Sequence, residues 1–230
     1  MISVIIPSIR DNVNIDFSNQ TFRDSEVIIE KDTQRKGAAY TRNQAIKKAK
    51  GELLAFTDDD CQPKDDWLEV LYNTYNEKRC CIAGKTIVPD ESTMFNRVMI
   101  SCGFRAKWYE DDGFHCGGAP CNLLIPKYIL EDVGLFDERF KKAGWEDSDI
   151  ILRILKAGYR IWYTSEAIVI HRERPEKERI ERTRHTSASL WNSLLFKIKH
   201  WDIYLFGCRL DENGYLKNPF KIYRRNQKSW

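Results

Sequence analysis

The chain contains no apolar run approaching the roughly 20 residues that span a bilayer, which excludes a transmembrane helix. Its seven cysteines include no CxxC pair, and Cys80 and Cys81 are sequence neighbours that are poorly placed to bridge each other. A disulfide framework is therefore not expected, and reduced thiols are. The first residues, Met1 to Pro7, have neither a basic leader nor a small-residue cleavage site. They read as a first strand, and a cytoplasmic location is expected. No Gly-rich, basic phosphate loop follows that strand, which counts against a nucleotidyltransferase without removing it as an alternative.

What is present is a globular composition: 42% hydrophobic and 12% aromatic residues, enough for a full-sized core in 230 residues. The net charge of +3 is unevenly spread. Residues 1 to 170 hold 23 Lys+Arg against 27 Asp+Glu, and residues 171 to 230 hold 14 against 7. The C-terminal part is the one that would seek an anionic partner, such as a membrane surface. Nucleic acid would also attract it, but no nucleic-acid-binding module accompanies the charge, so none is expected.

The densest chemistry lies at Leu53-Leu54-Ala55-Phe56-Thr57-Asp58-Asp59-Asp60, where a strand-length apolar run ends on three carboxylates. Their repulsion needs hydration or a cation to offset it. Ligands of open α/β sheets bind at the carboxyl ends of strands, so such a cluster is placed to hold a divalent ion and a phosphate. A solvated acidic turn before the next helix is the alternative.

Around it, Ser3 to Ile6 reads as a buried strand stopped by Pro7, and Glu26 to Glu30 as a second strand ending on charge. The segment Asp11 to Asp24 is a loop or a short irregular helix. Gly37 to Lys50 reads as a helix with Ala38, Ala45 and Ala49 on one face and Gly51 as its stop. A further helix begins near Trp67 with Asp65 or Asp66 as its N-cap. Strands are expected over Cys80 to Val88 and Cys121 to Ile125, and a short helix over Ser92 to Ser101. The polar and aromatic stretch Lys107 to Gly113 suits a loop over a ligand. From Glu146 a helix is expected, with Ile151, Ile154, Leu155 and Gly158 on one face. Three acids in its first turn are accounted for by the helix dipole alone. Two short strands, Arg160 to Tyr163 and Ala167 to Ile170, follow, the second ending on His171.

Arg172 to Thr186 is almost wholly charged and cannot form core. Leu190 to Trp201 mixes aromatic and aliphatic residues with lysines, the pattern either of a helix docked on the domain or of an interfacial membrane helix. Lys217, Lys221, Arg224, Arg225 and Lys228, among Tyr223 and Trp230, suit an anionic lipid surface or an acidic acceptor.

Three separated stretches together resemble one family, the inverting glycosyltransferases of family 2, which have the GT-A fold. They are Ser3 to Ser8; Gly37 and Arg42-Asn43-Gln44-Ala45-Ile46 through Lys50 to Asp60; and Val133 to Phe140 with Trp145-Glu146-Asp147-Ser148-Asp149, Arg153, Ala157-Gly158-Tyr159 and His171. The sequence departs from the family's common pattern at Glu30-Lys31-Asp32-Thr33, where Asp-Asp-Gly-Ser is usual.

The resemblance implies a single Rossmann-like, mostly parallel sheet flanked by helices. Residues 1–171 would be catalytic, with a nucleotide-sugar half to about residue 90 and an acceptor half after it, and 172–230 would be a helical extension. It further implies that Pro7, Ser8, Arg10, Glu30, Arg42, Asp58 and Asp59 contact the nucleotide sugar. Asp60 and His171 would hold Mn²⁺ or Mg²⁺, Asp147 would act as the base, and Trp145 and Glu146 would orient the acceptor. The implied reaction is transfer from a nucleoside-diphosphate sugar, UDP first, to a hydroxyl of a glycan, glycolipid or polymer acceptor. Peripheral association with the inner face of a membrane goes with a lipid-linked acceptor. A surface-binding protein without activity is the remaining alternative.

Overall fold

A computed structural model describes residues 1–87, 111–141, 144–172 and 190–217. The expected helix over Ser92 to Ser101, the start of the Lys107 to Gly113 loop, the charged segment after Arg172 and the basic tail beyond Lys217 lie outside them.

The first half is built as its apolar runs dictate. β1 (Ile2–Ser8) lies between β2 (Ser25–Lys31) and β3 (Leu53–Phe56), parallel to both, and its apolar residues up to Ile6 are completely buried. Pro7 does not end β1 as expected. It pairs with Glu30 on β2, while the β3 ladder has already stopped at Ile5 opposite Phe56. A proline with a ladder on one side only loses little by having no N–H.

Between β2 and β3, helix α1 (Ala38–Lys48) covers the sheet with Ala39, Ala45 and Ile46, so its buried face starts at Ala39 and not at Ala38. Gly37, at φ +101, brings backbone so near the segment after Phe140 that a Cβ would lie 2.6 Å from the Lys141 carbonyl oxygen. After β3, a short strand β4 (Cys61–Pro63) leads into α2 (Trp67–Lys78). Asp66 occupies the N-cap position of α2 but makes no side-chain capping bond.

The second half is mixed. β5 (Cys81–Ile87), β6 (Gly113–Phe114), β7 (Leu123–Pro126) and β8 (Ile161–His171) complete a sheet of order β2-β1-β3-β7-β5-β8-β4, with β6 on β8. β7 runs antiparallel between β3 and β5, whereas β5 and β8 are parallel. The sheet is thus parallel on the β2-β1-β3 side and mixed beyond it, less parallel than expected.

The two strands expected between Arg160 and Ile170 are one. β8 continues through Ser165 and Glu166, and the irregularity appears instead as a register shift in its pairing with β5 at Gly84/Lys85. α3 (Lys127–Val133), which the sequence pattern did not disclose, and α4 (Glu146–Lys156) pack together behind the sheet. Asn122, fully buried, ties the layers by accepting from the Trp67 indole at 2.8 Å and donating to the Lys85 and Ala167 carbonyls.

α5 (Leu190–Lys199) and α6 (Trp201–Phe206) return to the body, followed by a small hairpin of β9 (Arg209–Leu210) and β10 (Leu216–Lys217). Leu216 enters the main core. The described part of the extension is therefore packed on the body of the protein. Among the described residues, no helix is long and apolar enough to cross a membrane. The described cysteines, which do not include Cys102, carry no disulfide.

Candidate active site

Strand pairing brings the acidic turn and the distant histidine together. β4 runs antiparallel to the end of β8 with Cys61 opposite His171, and the Arg172 amide donates to the Asp60 carbonyl at 2.8 Å. Asp60 Oδ2 and His171 Nε2 consequently lie 3.6 Å apart, both buried. The Cys61 sulfur falls in the same cluster, within 4.8 Å of the other donor atoms. A hydrogen bond with Cys121 and burial hold the Cys61 thiol well above its usual pKa, so it stays protonated. One carboxylate and one imidazole fit a divalent ion such as Mn²⁺ or Mg²⁺ that takes its remaining ligands from phosphate oxygens and water.

The other two acids have different surroundings. Asp59 is buried and accepts the Ser8 hydroxyl at 2.7 Å, while Arg10 lies 3.8 Å from its carboxylate and donates to its carbonyl at 3.3 Å. This joins the carboxyl end of β1 to the turn after β3, and it engages the side chains of Ser8 and Arg10. Asp58 is more exposed and is ion-paired to Arg42 at 3.0 Å.

Arg42 is the centre of the site. Its guanidinium is almost fully buried, lies over the Phe136 ring at 5.4 Å, and spans from Asp58 to Glu146 at 3.4 Å. Burial alone would lower its pKa, but Asp58, Glu146 and Asp147 together raise it. The resemblance implies a nucleotide-sugar contact for Arg42; two of its nitrogens are engaged by carboxylates, and Nε makes no hydrogen bond among the described residues. Asn43 beside it anchors α1 by exchanging hydrogen bonds with the Phe136 backbone and donating to Glu138 at 2.9 Å.

Glu146, Asp147 and Asp149 share the first turn of α4 yet differ in environment. Trp145, at the N-cap, has φ 76, which turns the chain sharply into the helix. Glu146 is buried and accepts the Gly144 amide at 2.6 Å. Burial and the neighbouring Asp147 push its pKa up to about 7 against the pull of Arg42. Asp147 is partly exposed and accepts the Ser148 amide at 2.7 Å. Asp149 is completely buried. Burial would raise its pKa, but His200 at 2.9 Å, Arg153 at 2.8 Å and Lys199 at 2.5 Å outweigh it and hold the carboxyl below its usual value.

Glu30 sits apart from these groups, at the end of β2, paired with Lys48 of α1. Pro7 lies beside it in register. The extension supplies contacts that sequence reasoning did not assign. Asn192 donates to the Gly144 carbonyl at 3.1 Å, and the Phe196 and Trp145 rings stand 4.6 Å apart. Only the four-residue spacing of Asn192, Phe196 and His200, along α5 and just past its end, could have signalled them.

Comparison with known proteins bears on the family and the fold. Over 160 residues the chain is 28% identical to the glycosyltransferase AglE of Haloferax volcanii, covering 68% of this chain and 51% of that protein, so it spans about half the length of that relative. It is 23% identical over 228 residues to a glucosyl-dolichyl phosphate glucuronosyltransferase of the same organism, covering 93% of this chain and 70% of the relative. Among solved structures, S. aureus TarS 1-349 in complex with UDP-GlcNAc superposes with a TM-score of 0.60 at 18% identity, covering 76% of this chain and 59% of that one. GalNAc-T7 with UDP, GalNAc and Mn²⁺ gives a TM-score of 0.58 at 18% identity, covering 78% of this chain and 37% of that one. The family model of glycosyl transferase family 2 matches residues 13–138. More than half of the chain carries that signature on a matching α/β framework: the chain belongs to glycosyl transferase family 2 and has the GT-A fold.

Proposed function

We propose that the protein is a metal-dependent, inverting glycosyltransferase that moves a sugar from a nucleoside-diphosphate sugar to a hydroxyl of a glycan, glycolipid or polymer acceptor. The observation that carries this reading is the meeting of two acid groups at one sheet edge. Asp58 and Asp60 come from the turn after β3, Glu146 and Asp147 from the start of α4, and Arg42 lies between them. UDP is the first choice of nucleotide, since two structural relatives were solved with UDP or a UDP-sugar.

In this reading the segment up to about residue 90 binds the donor and the rest of the body binds the acceptor. Pro7, Ser8, Arg10, Glu30 and Asp58 border the nucleotide, Asp59 fixes the turn through Ser8, and Arg42 holds Asp58 in place. A divalent cation on Asp60 and His171 would neutralise the charge that develops on the departing diphosphate.

Asp147 takes the proton of the acceptor hydroxyl. The hydroxyl oxygen forms a bond to the anomeric carbon, the bond from that carbon to the diphosphate oxygen breaks, and the nucleoside diphosphate leaves with the electron pair. A single displacement by one base inverts the anomeric centre. Asp147 stands in the first turn of α4, and its partial exposure keeps it open to an acceptor. Glu146 and Trp145 orient the acceptor sugar, Glu146 with a carboxyl that carries a proton part of the time at neutral pH.

A thermal-shift screen of UDP, GDP and dTDP with and without Mn²⁺ tests the donor, because a ligand that binds the folded state raises its melting temperature. Asp60→Ala and Asp147→Asn should each abolish turnover; a wild-type rate in either removes the assigned role. Release of pyrophosphate from a nucleoside triphosphate would favour a nucleotidyltransferase instead.

A further inference from the structure

α5 and α6 are apolar on two sides: Leu195, Phe196 and Ile203 turn to the core, as in an ordinary surface helix, but the outward side is apolar as well, where such a helix is polar. Beside Leu195 and Phe196, the inner side of α5 and the following His200 carry polar groups to the body: Asn192, Lys199 and His200 reach Gly144, Asp137 and Asp149. The outward face carries Trp191, Leu194 and Ile198 at helical spacing, continued on α6 by Trp201, Leu205 and Phe206, each 41% to 64% exposed. Six large apolar side chains in one outward stripe exceed the scattered exposed residues of an ordinary surface.

We infer that this face is a membrane-docking surface, lying in the headgroup region of an anionic bilayer. The two outward tryptophans are amphipathic rings suited to that depth, and neither helix is long enough to span the hydrocarbon. Charge selects the lipid. Lys197 lies beside the stripe, exposed, with Arg209 and Lys217 exposed just beyond the helices. Residues 171–230 hold 14 Lys+Arg against 7 Asp+Glu, whereas residues 1–170 are net acidic with 23 against 27. An anionic surface complements this segment, while a second copy would set Lys197 against its own like charge. The inner face of the same helix touches Trp145 and Gly144, so the bilayer borders the proposed acceptor side and a lipid-linked acceptor fits; this consequence alone rests on the transferase reading.

The test is flotation of the full chain with vesicles of phosphatidylcholine, with and without phosphatidylglycerol, and needs no catalytic activity. Wild type should float with the anionic vesicles only. The triple substitution Leu194→Glu, Ile198→Glu, Leu205→Glu should weaken binding at least about tenfold with an unchanged melting temperature. Trp191→Ala with Trp201→Ala should weaken it in the same direction without added charge. No flotation of wild type, or flotation unaffected by both variants, overturns the inference. So does a dimer in solution that the triple variant converts to monomer without any vesicle binding.

Discussion

Arg42 and Glu146, 104 positions apart in sequence, are ion-paired at 3.4 Å in the interior of the protein. The same guanidinium holds Asp58 at 3.0 Å, so an acid of the turn after β3 and an acid at the start of α4 share one cation. A movement of either acid alters the pairing of the other. The site therefore couples its two halves through a buried charge and not through backbone alone.

Arg42→Ala should destabilise the fold by about 3 to 5 kcal/mol, because it leaves Glu146 buried without its partner. Arg42→Lys should recover little, since an ammonium cannot span two carboxylates as a planar guanidinium does. The double variant Arg42→Ala, Glu146→Gln should regain part of the loss in urea denaturation. Strict additivity of the two substitutions would show that the pair is not coupled.

Glu146 sets a pH dependence of stability. Its carboxyl is held near 7 in the fold, above the ordinary value of 4.5, so the unfolded chain releases the proton first. Stability should fall as pH rises from about 4.5 to about 7 and then level off, by at most a few kcal/mol given the offset from Arg42. Glu146→Gln should flatten that descent in melting curves recorded across the window. An unchanged slope in the variant would assign the effect to other groups.

Asp149 works in the opposite sense. Its folded-state pKa is lowered, so its contribution is present above the ordinary value of 3.8 and is lost as pH falls below it. Asp149→Asn should cost about 3 kcal/mol, because Lys199, Arg153 and His200 all point at it. Hydrogen exchange of α5 should speed up together with the segment around Trp145. Exchange confined to α4 would mean that the extension is held by other contacts.

His200→Ala removes the imidazole between Asp149 and Phe196 and should raise the acceptor KM more than it lowers kcat, since Phe196 packs on Trp145. His200→Gln should restore part of the effect by keeping a donor toward Asp149. A fall in kcat with unchanged KM would place His200 in the chemical step instead.

Much of this was legible because local rules agreed. The apolar runs of β1 and β3 have a buried-strand pattern, α4 combines a strong apolar face with acids at its start, and three acids after β3 announce a strand end with ligand chemistry. What stayed hidden depends on distant partners. β4 has three residues, too few to show alternation, yet its register against β8 is what sets Asp60 beside His171. Asn43 and Asn122 look like any surface amide until their carbonyl partners are folded around them. The polar part of the inner face of α5 was unreadable because Lys199 and His200 normally point to water; Asp149, with Asp137 for the lysine, turns them inward. Arg42 was read through the resemblance as a nucleotide contact, and its double pairing emerges only when α4 closes on α1.

In the proposed reaction Asp60 and His171 would hold a metal on which donor binding depends, and Asp147 would act after binding. Calorimetric titration of UDP into wild type, Asp60→Ala and Asp147→Asn, each with and without Mn²⁺, tests it most directly. The account predicts tight binding by wild type only with Mn²⁺, loss of at least about tenfold in Asp60→Ala, and near-wild-type affinity in Asp147→Asn despite its lost turnover. Equal UDP affinity without metal, or in Asp60→Ala, would contradict it.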